Sequence, residues 1–393
     1  MAGHDHGGFR SLRLGSARLE RAVWIALAVC ALATVVGLIL LWPTGKVRTS
    51  STDIEAQGVP VNAVIDTVGR DTCDEGDPES GICQFLVVRI TSGEFDGQES
   101  RIQAPGGPGT TRFDEGDRIL VETFLDAEGE LQVSFIDFRR STPLVVLLVL
   151  FVVVVLALGR LRGLGALGGL AASLLVLTLF VLPSILRGND AVLVALVGAS
   201  LIAFIALFLA HGLNVGTAIA LIGTFTSMAI IGVLAAIFSG VSRLTGLADE
   251  YATVLPAFGI DVNLKGMLLA GVVIGSLGVL DDVTVTQVSA VAELRSAQPD
   301  ATALQVYRQA LNIGRDHIAS TVNTLFLAYA GAALPLLLLF TQTQQPIGSI
   351  LSRELVATEV IRSLVGSIGL VASVPITTLL AAHVMTHAHR DER

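Results

Sequence analysis

Charged side chains are scarce in this sequence: Asp, Glu, Lys and Arg supply 15% of its 393 residues, against roughly a quarter in an average soluble domain. Lysine is nearly missing, with Lys46 and Lys265 its two occurrences; that bias suggests a GC-rich bacterial genome and says nothing about mechanism. No basic patch of the kind a nucleic-acid partner requires is present, so no nucleic acid is expected. Also lacking are an HExxH metal motif, a Gly-rich phosphate loop with a following Lys and a GxSxG elbow. The APGGPGT run from Ala104 to Thr110 has neither the Lys nor a strand-to-helix setting and reads as a loop. Catalytic residues, metal and cofactor are therefore all expected to be none, and the chain does not read as an enzyme.

Hydrophobic residues make up 52%, more than one water-soluble core can hide. The charges that exist are unevenly placed: Pro43 to Ser141 holds 9 of the 25 basic and 19 of the 34 acidic residues, and the rest is nearly neutral. The fold class implied is an all-α polytopic membrane bundle of about eight transmembrane helices, with a small all-β, OB-like extracytoplasmic domain inserted after the first helix. A transmembrane helix needs about 20 mainly apolar residues, and the expected spans are Ala22–Trp42, Thr142–Leu158, Leu164–Leu186, Ala191–Ala210, Leu213–Phe238, Met267–Ala292, Ile318–Phe340 and Ser363–His383. The first, flanked by Trp24 and Trp42, reads as an uncleaved signal anchor.

The arginines set an orientation, because short cytoplasmic loops accumulate basic residues. With the N-terminus inside, 11 basic residues fall in cytoplasmic segments and 5 in the short outer ones. The division expected is a cytoplasmic tail (1–21), a first helix (22–42), an extracytoplasmic β domain (43–141), a seven-helix domain (142–385) and a second cytoplasmic tail (386–393), in a bacterial cell membrane. Within the β domain, Val59–Val68, Ile82–Thr91, Gln98–Ala104, Arg118–Leu125 and Glu130–Phe138 are strand-like runs between Gly, Pro and Asp turns. Cys73 and Cys83 lie in a polar loop on the oxidising side, where a disulfide between them is expected. Cys30 is a small apolar filler in the first span, and His4, His6, His387 and His389 sit on tails.

The stretch from Gly271 to Glu293 is the most informative. Asp281 and Asp282 fall near the middle of its apolar run, where an ionisable residue is by default a functional hypothesis. Two adjacent carboxylates cannot both ionise cheaply there, so at least one is expected to have a raised pKa and to exchange protons near neutral pH. Gly271, Gly275, Gly278 and Asp282 share one helical stripe, continued by Thr286, and small residues of this kind let another helix approach closely; on that ground Asp282 is expected to matter more than Asp281. The competing reading ends the span at Leu280, makes the aspartates caps of a cytoplasmic helix and puts Thr284, Thr286 and Gln287 in water. In the next span His317, Thr321 and Thr324 continue one face and Asn323 another, either as glue between helices or as a polar relay to the aspartates. Glu359 and Arg362 fit an intrahelical ion pair.

The most distinctive pieces of the chain are IGSLGVLDDVTVTQVSAVAEL (Ile274–Leu294), GRDHIASTVNTLFLAYAGA (Gly314–Ala332) and ELVATEVIRSLVGSIGLVASVPITT (Glu354–Thr378). On these it resembles the YibE/F family of bacterial membrane proteins, from the outer domain to its end. Its paired aspartates in a Gly-rich span are also similar to the proton-relay region of resistance-nodulation-division exporters and of SecD and SecF. That similarity implies one half-module, with Asp281 and Asp282 as proton carriers and Thr321 and Thr324 as neighbours. It departs from those families in having two extra spans and a far smaller outer domain. The partners implied are the lipid bilayer, a second copy or a related membrane subunit, and a substrate that the sequence does not identify. The functions open at this point are a proton-coupled transporter or export-assisting protein, a membrane scaffold or regulator, and intramembrane acid/base chemistry.

Overall fold

The computed structural model describes residues 17–44, 59–71, 83–103, 112–126, 129–248, 262–342 and 346–387. They form two compact units, a sheet unit within 51–154 and a helical unit from the residues before 50 and from Val155 onward.

The sheet unit contains β1 (Val59–Asp71), β2 (Cys83–Ile90), β3 (Glu99–Gln103), β4 (Arg118–Leu125) and β5 (Leu131–Phe138), within two residues of the expected strands except at the C-terminal end of β1, three residues longer than expected. Every pair is antiparallel, in the order β3-β2-β1-β4-β5. Long β1 pairs with both β2 and β4 and carries a register shift between Ile65 and Thr67, a bulge of the sort that bends a strand. The sheet curls until β3 and β5 approach each other. Alternate residues point to one face, so Val61, Ala63 and Ile65 meet Leu86, Val88, Ile90, Ile119 and Val121 in a buried core. Phe113 closes one end, its ring 5.2 Å from those of both Phe135 and Phe138. Cys73 lies outside the described residues, as do the Cys83 side chain and the expected bridge between them.

Where β5 ends, Arg140 donates to Asp137 at 2.6 Å. That bond, with a second from the Phe138 N–H, holds the Asp137 carboxyl below the usual carboxylate range. Its stabilisation is present above the ordinary carboxylate range and is lost as pH falls through the lowered value; in an exposed pair it is small.

In the helical unit, α1 is Ala17–Leu40, and α2 (Ser141–Val176) runs through a π-helical turn, Leu177–Val181, into α3 (Leu182–Leu186). Then come α4 (Ala191–His211), α5 (Val215–Val241), α6 (Leu264–Ala297), α7 (Ala303–Ala332), α8 (Leu334–Gln342), α9 (Ile347–Leu351) and α10 (Glu354–His387). Among the described residues, seven helical stretches are long and apolar enough to cross a membrane, and the bent pair α7–α8 makes an eighth if counted as one span. That pair, bent by 63°, replaces the single straight span expected over Ile318–Phe340. Pro335, early in α8, cannot donate the backbone bond that would carry α7 onward. At Arg160 (φ 51°, ψ −130°) α2 breaks sharply. Gly163 lies so close to the Val155 carbonyl that a Cβ would clash, whereas eight residues of straight helix would separate them by about 12 Å.

Trp42 stacks on buried Phe180 at 6.1 Å, and the Leu41 carbonyl accepts from Ser184 Oγ (2.7 Å) and Asn189 Nδ2 (3.2 Å). These contacts tie the end of α1 to the turn before α4. Helix α6 packs on α4, α5, α7 and α10, and α10 in turn on α5 and α7, so α6 and α10 form the centre of the bundle.

The sheet unit has a closed core of its own, so residues 51–140 should fold alone with β-type circular dichroism. Replacing Phe113 removes a ring packed on two others, and Phe113→Ala should cost about 3–5 kcal/mol. Urea titration of the two fragments checks both expectations; a wild-type fragment with no cooperative transition would refute the domain assignment.

Candidate functional site

Asn263 starts α6 by accepting the Gly266 N–H through its side chain at 3.0 Å, and the helix continues unbroken to Ala297. The alternative that Asp281 and Asp282 cap a separate helix is thereby overturned, and Thr284 and Gln287, which it put in water, are 0% exposed. With 3.6 residues per turn, neighbouring side chains point about 100° apart. Asp281 turns inward, and its Oδ1 is buried with no hydrogen-bond partner among the described residues. Asp282 turns outward with its side chain 73% exposed.

The Asp281 carboxyl lies beside Thr224 of α5, and the buried polar groups of this part of α6 are shared with α5 and α10. The Thr284 hydroxyl lies 3.2 Å from the Asp281 carbonyl and 2.9 Å from the Thr224 hydroxyl of α5. One turn along α6, Gln287 accepts from Thr378 of α10 at 2.8 Å, and the same hydroxyl reaches the Val374 carbonyl at 2.6 Å. The Gln287 Nε2, Ser227 Oγ and Thr377 Oγ1 are buried without partners among the described residues. Pro375 lies inside α10 and withholds the N–H that would otherwise reach the Val371 carbonyl. The helices come this close because of three glycines. A Cβ on Gly223 would strike Thr377, one on Gly369 would strike Ile231, and one on Gly314 of α7 would press on Val374 and the Gln287 amide.

The stripe singled out in the sequence behaves differently. Gly271, Gly275, Gly278 and Asp282 are exposed, so among the described residues of one chain the stripe expected to face protein is left open. A Cβ on Gly278 would have nothing within 4 Å among the described residues. One on Gly275 would stand 3.4 Å from the Tyr329 hydroxyl, and one on Gly271 would stand 4.0 Å from the Arg362 guanidinium. The reason is geometric: short side chains permit a close approach without supplying a partner.

The remaining candidates do not converge on Asp281. His317 Nε2 is 3.9 Å from Asp282 Oδ2, too far for a hydrogen bond. Thr321 and Thr324 donate back to the His317 and Ser320 carbonyls of their own helix at 2.8 and 3.0 Å. Asn323 is exposed and Thr286 half-buried. Glu359 and Arg362 do pair, at 2.8 Å. Among the described residues no cluster of His, Cys, Asp or Glu could hold a metal.

The family description YibE/F-like protein matches residues 147–387, more than half of the chain. The chain belongs to the YibE/F-like family. No curated protein and no solved structure matches it. The YibE/F-like region begins within α2, leaving out the sheet that the sequence resemblance had included, and it contains every residue of the polar core around Asp281. Together with the apolar helices, family membership makes this an integral, multi-pass membrane protein.

Sequence reasoning missed Thr224, Thr377, Thr378 and Gly314 as parts of this core. The signal available was small: GTFTS (223–227) and SVPITT (373–378) place hydroxyls inside otherwise apolar helices.

The two sets of glycines should respond oppositely to a methyl group. Gly314→Ala overpacks a filled crossing and should destabilise by about 1–3 kcal/mol. Gly278→Ala adds helix propensity on an open face and should be neutral or slightly stabilising. Thermal unfolding of the purified protein in detergent measures both, and a Gly278→Ala loss as large as that of Gly314→Ala would show the stripe to be covered by a second subunit.

Proposed function

We propose that this YibE/F-like protein is a proton-coupled transporter or export-assisting protein in which Asp281 is the principal proton carrier. One observation carries the reading: a carboxyl oxygen buried without a hydrogen-bond partner in the middle of an unbroken, bundle-central helix. An unpaired buried charge is costly. Binding a proton relieves that cost, and so does a rearrangement that admits water or brings a donor, which gives two states linked by protonation. Asp282, exposed beside His317, is the outer member of the pair, so the order of importance expected from the glycine stripe is reversed.

The rest of the proposal follows the sequence. Both termini lie in the cytoplasm and residues 43–141 lie outside, as the arginine bias supports. The strand order β3-β2-β1-β4-β5 with β3 near β5 favours an OB-like barrel. The likeness to a half-module of the resistance-nodulation-division exporters and of SecD and SecF, together with the bare glycine stripe, favours a homo-oligomer or a related membrane subunit as partner. The alternative is a membrane scaffold or regulator, favoured by the buried Thr224–Thr284 and Thr378–Gln287 hydrogen bonds, which also serve to hold helices together.

Infrared spectroscopy of the full chain in liposomes separates the two readings. A protonated-carboxyl band that fades as pH rises and is missing in Asp281→Asn supports the carrier, whereas Asp282→Asn should leave that band in place. The same band and pH response in Asp281→Asn and wild type would remove Asp281 from the mechanism and leave the scaffold ahead. Cysteine labelling in intact cells checks orientation: positions 96 and 107 should react from outside, and positions 162 and 296 should not. The opposite pattern would invert the topology.

A further inference from the structure

Two cavities flank the same turns of α10. One, of about 200 Å³, is lined by Met267 and Leu268 of α6, Gly246, Thr358, Glu359 and Arg362. The other, of about 220 Å³, is apolar, lined by Phe326 and Tyr329 of α7, Leu336 and Leu337 of α8, and Val360; it also includes Ala333, where α7 and α8 bend, and Glu359. On α10 the first cavity takes residues 355, 358, 359 and 362 and the second takes 356, 359, 360 and 363. Each set is an i, i+3, i+4, i+7 stripe, and the two adjoining stripes meet at Glu359.

The polar cavity is not a simple anion site. Arg362 Nη1 donates to Glu359 Oε1 at 2.8 Å, so the two charges largely cancel. Yet the Arg362 Nε is buried and has no acceptor among the described residues, and a buried donor left unpaired is costly. A ligand that supplies an acceptor oxygen to Nε, brought into the cavity by a turn of the Arg362 side chain, and a cation to the Glu359 carboxylate would satisfy both groups and keep the cavity neutral. Beside it the bend between α7 and α8 leaves an apolar space that suits part of an alkyl chain.

We propose that the chain binds one amphiphile with a zwitterionic head of the phosphoethanolamine type, its phosphate on Arg362, its ammonium at Glu359 and its chain in the apolar cavity beneath the α7–α8 bend. The site goes beyond the proton reading and stands without it, since none of its residues belongs to the core around Asp281.

Native mass spectrometry of the delipidated full chain tests the site, with lysophosphatidylethanolamine, lysophosphatidylglycerol and dodecanoate as separate probes. One lysophosphatidylethanolamine per chain should bind, at least tenfold more tightly than the other two. Arg362→Lys keeps the charge but loses the Nε donor, and Leu336→Trp fills the apolar cavity; each should weaken binding tenfold or more. If Arg362→Lys fails to fold, Leu336→Trp together with the head-group preference decides. Absence of saturable binding by folded wild type, equal binding of the three probes, or full retention in folded Leu336→Trp would overturn the proposal. A parallel measurement with diacyl phosphatidylethanolamine identifies the source: tighter retention of the diacyl form supports a resident bilayer lipid in the site, and tighter retention of the lyso form supports a single-chain solute there. Asp281→Asn should bind the probe as wild type does, so failure here and failure of the proton reading are separate results.

Discussion

In apolar surroundings a backbone N–H or C=O has no water to turn to, and a membrane-spanning segment keeps its hydrogen bonds by staying helical. Helix α6 obeys this constraint through Asp281 and Asp282 without a break, and the organisation of the bundle follows from it. A continuous helix cannot aim two adjacent carboxyls at one neighbour, so one goes inward and the other outward. Over 34 residues, at about 1.5 Å per residue, α6 is longer than the roughly 30 Å of a hydrocarbon core, and it carries the inward carboxyl beside Thr224 of α5.

The helices around that carboxyl meet through glycines and hydroxyls. Close approach at Gly223, Gly314 and Gly369 leaves room for Thr and Ser but for little else. A hydroxyl has one proton, and in this core it is mostly spent on a carbonyl: Ser276 on Val273, Ser373 on Leu370, Thr378 on Val374 or Gln287. Such bonding settles each side chain on its own or a neighbouring helix; beside the Asp281 carboxyl it leaves the Thr224 hydroxyl, while Oδ1 has no partner among the described residues. The arrangement is therefore dense and polar yet incompletely paired, which distinguishes it from a core built only for stability.

Much of this was legible in the sequence. The five strands were, because apolar alternation between Gly, Pro and Asp turns has one reading, and the aspartates were, because charge is rare in the apolar runs. Which aspartate faces inward was not: a small-residue stripe has the same sequence whether it is covered or bare, and the stripe containing Asp282 is bare. Thr224, Gln287 and Thr378 were silent for a different reason, since threonines in spans commonly bond back to their own helix and only the fold brings α5, α6 and α10 together. The clasp of Glu354 on the Thr245 and Gly246 N–H groups at 2.6 and 2.7 Å joins residues more than a hundred positions apart, beyond any local pattern. The α7–α8 bend did leave a mark in Pro335, but the apolar run continues through it and reads as one span.

Helices α6 and α10 each touch both the polar core and the cavities at Glu359, and this shared construction limits how the two regions can behave. Residues 358 to 363 and residues 373 to 378 lie on one helix about four turns apart. Glu354 fixes one end of that helix to the loop after α5, while Pro375 weakens its hydrogen bonding beside Thr377 and Thr378. A helix held at one end and loosened near the other yields most easily at the loosened turns. Rearrangement around Asp281 would therefore repack the Pro375 region first, and it would reach the cavities only if α10 moved against the Glu354 clasp. The proposed protonation site and the proposed amphiphile site are thus built on common elements without being one site, which is why removing the Asp281 charge and filling the apolar cavity are independent perturbations.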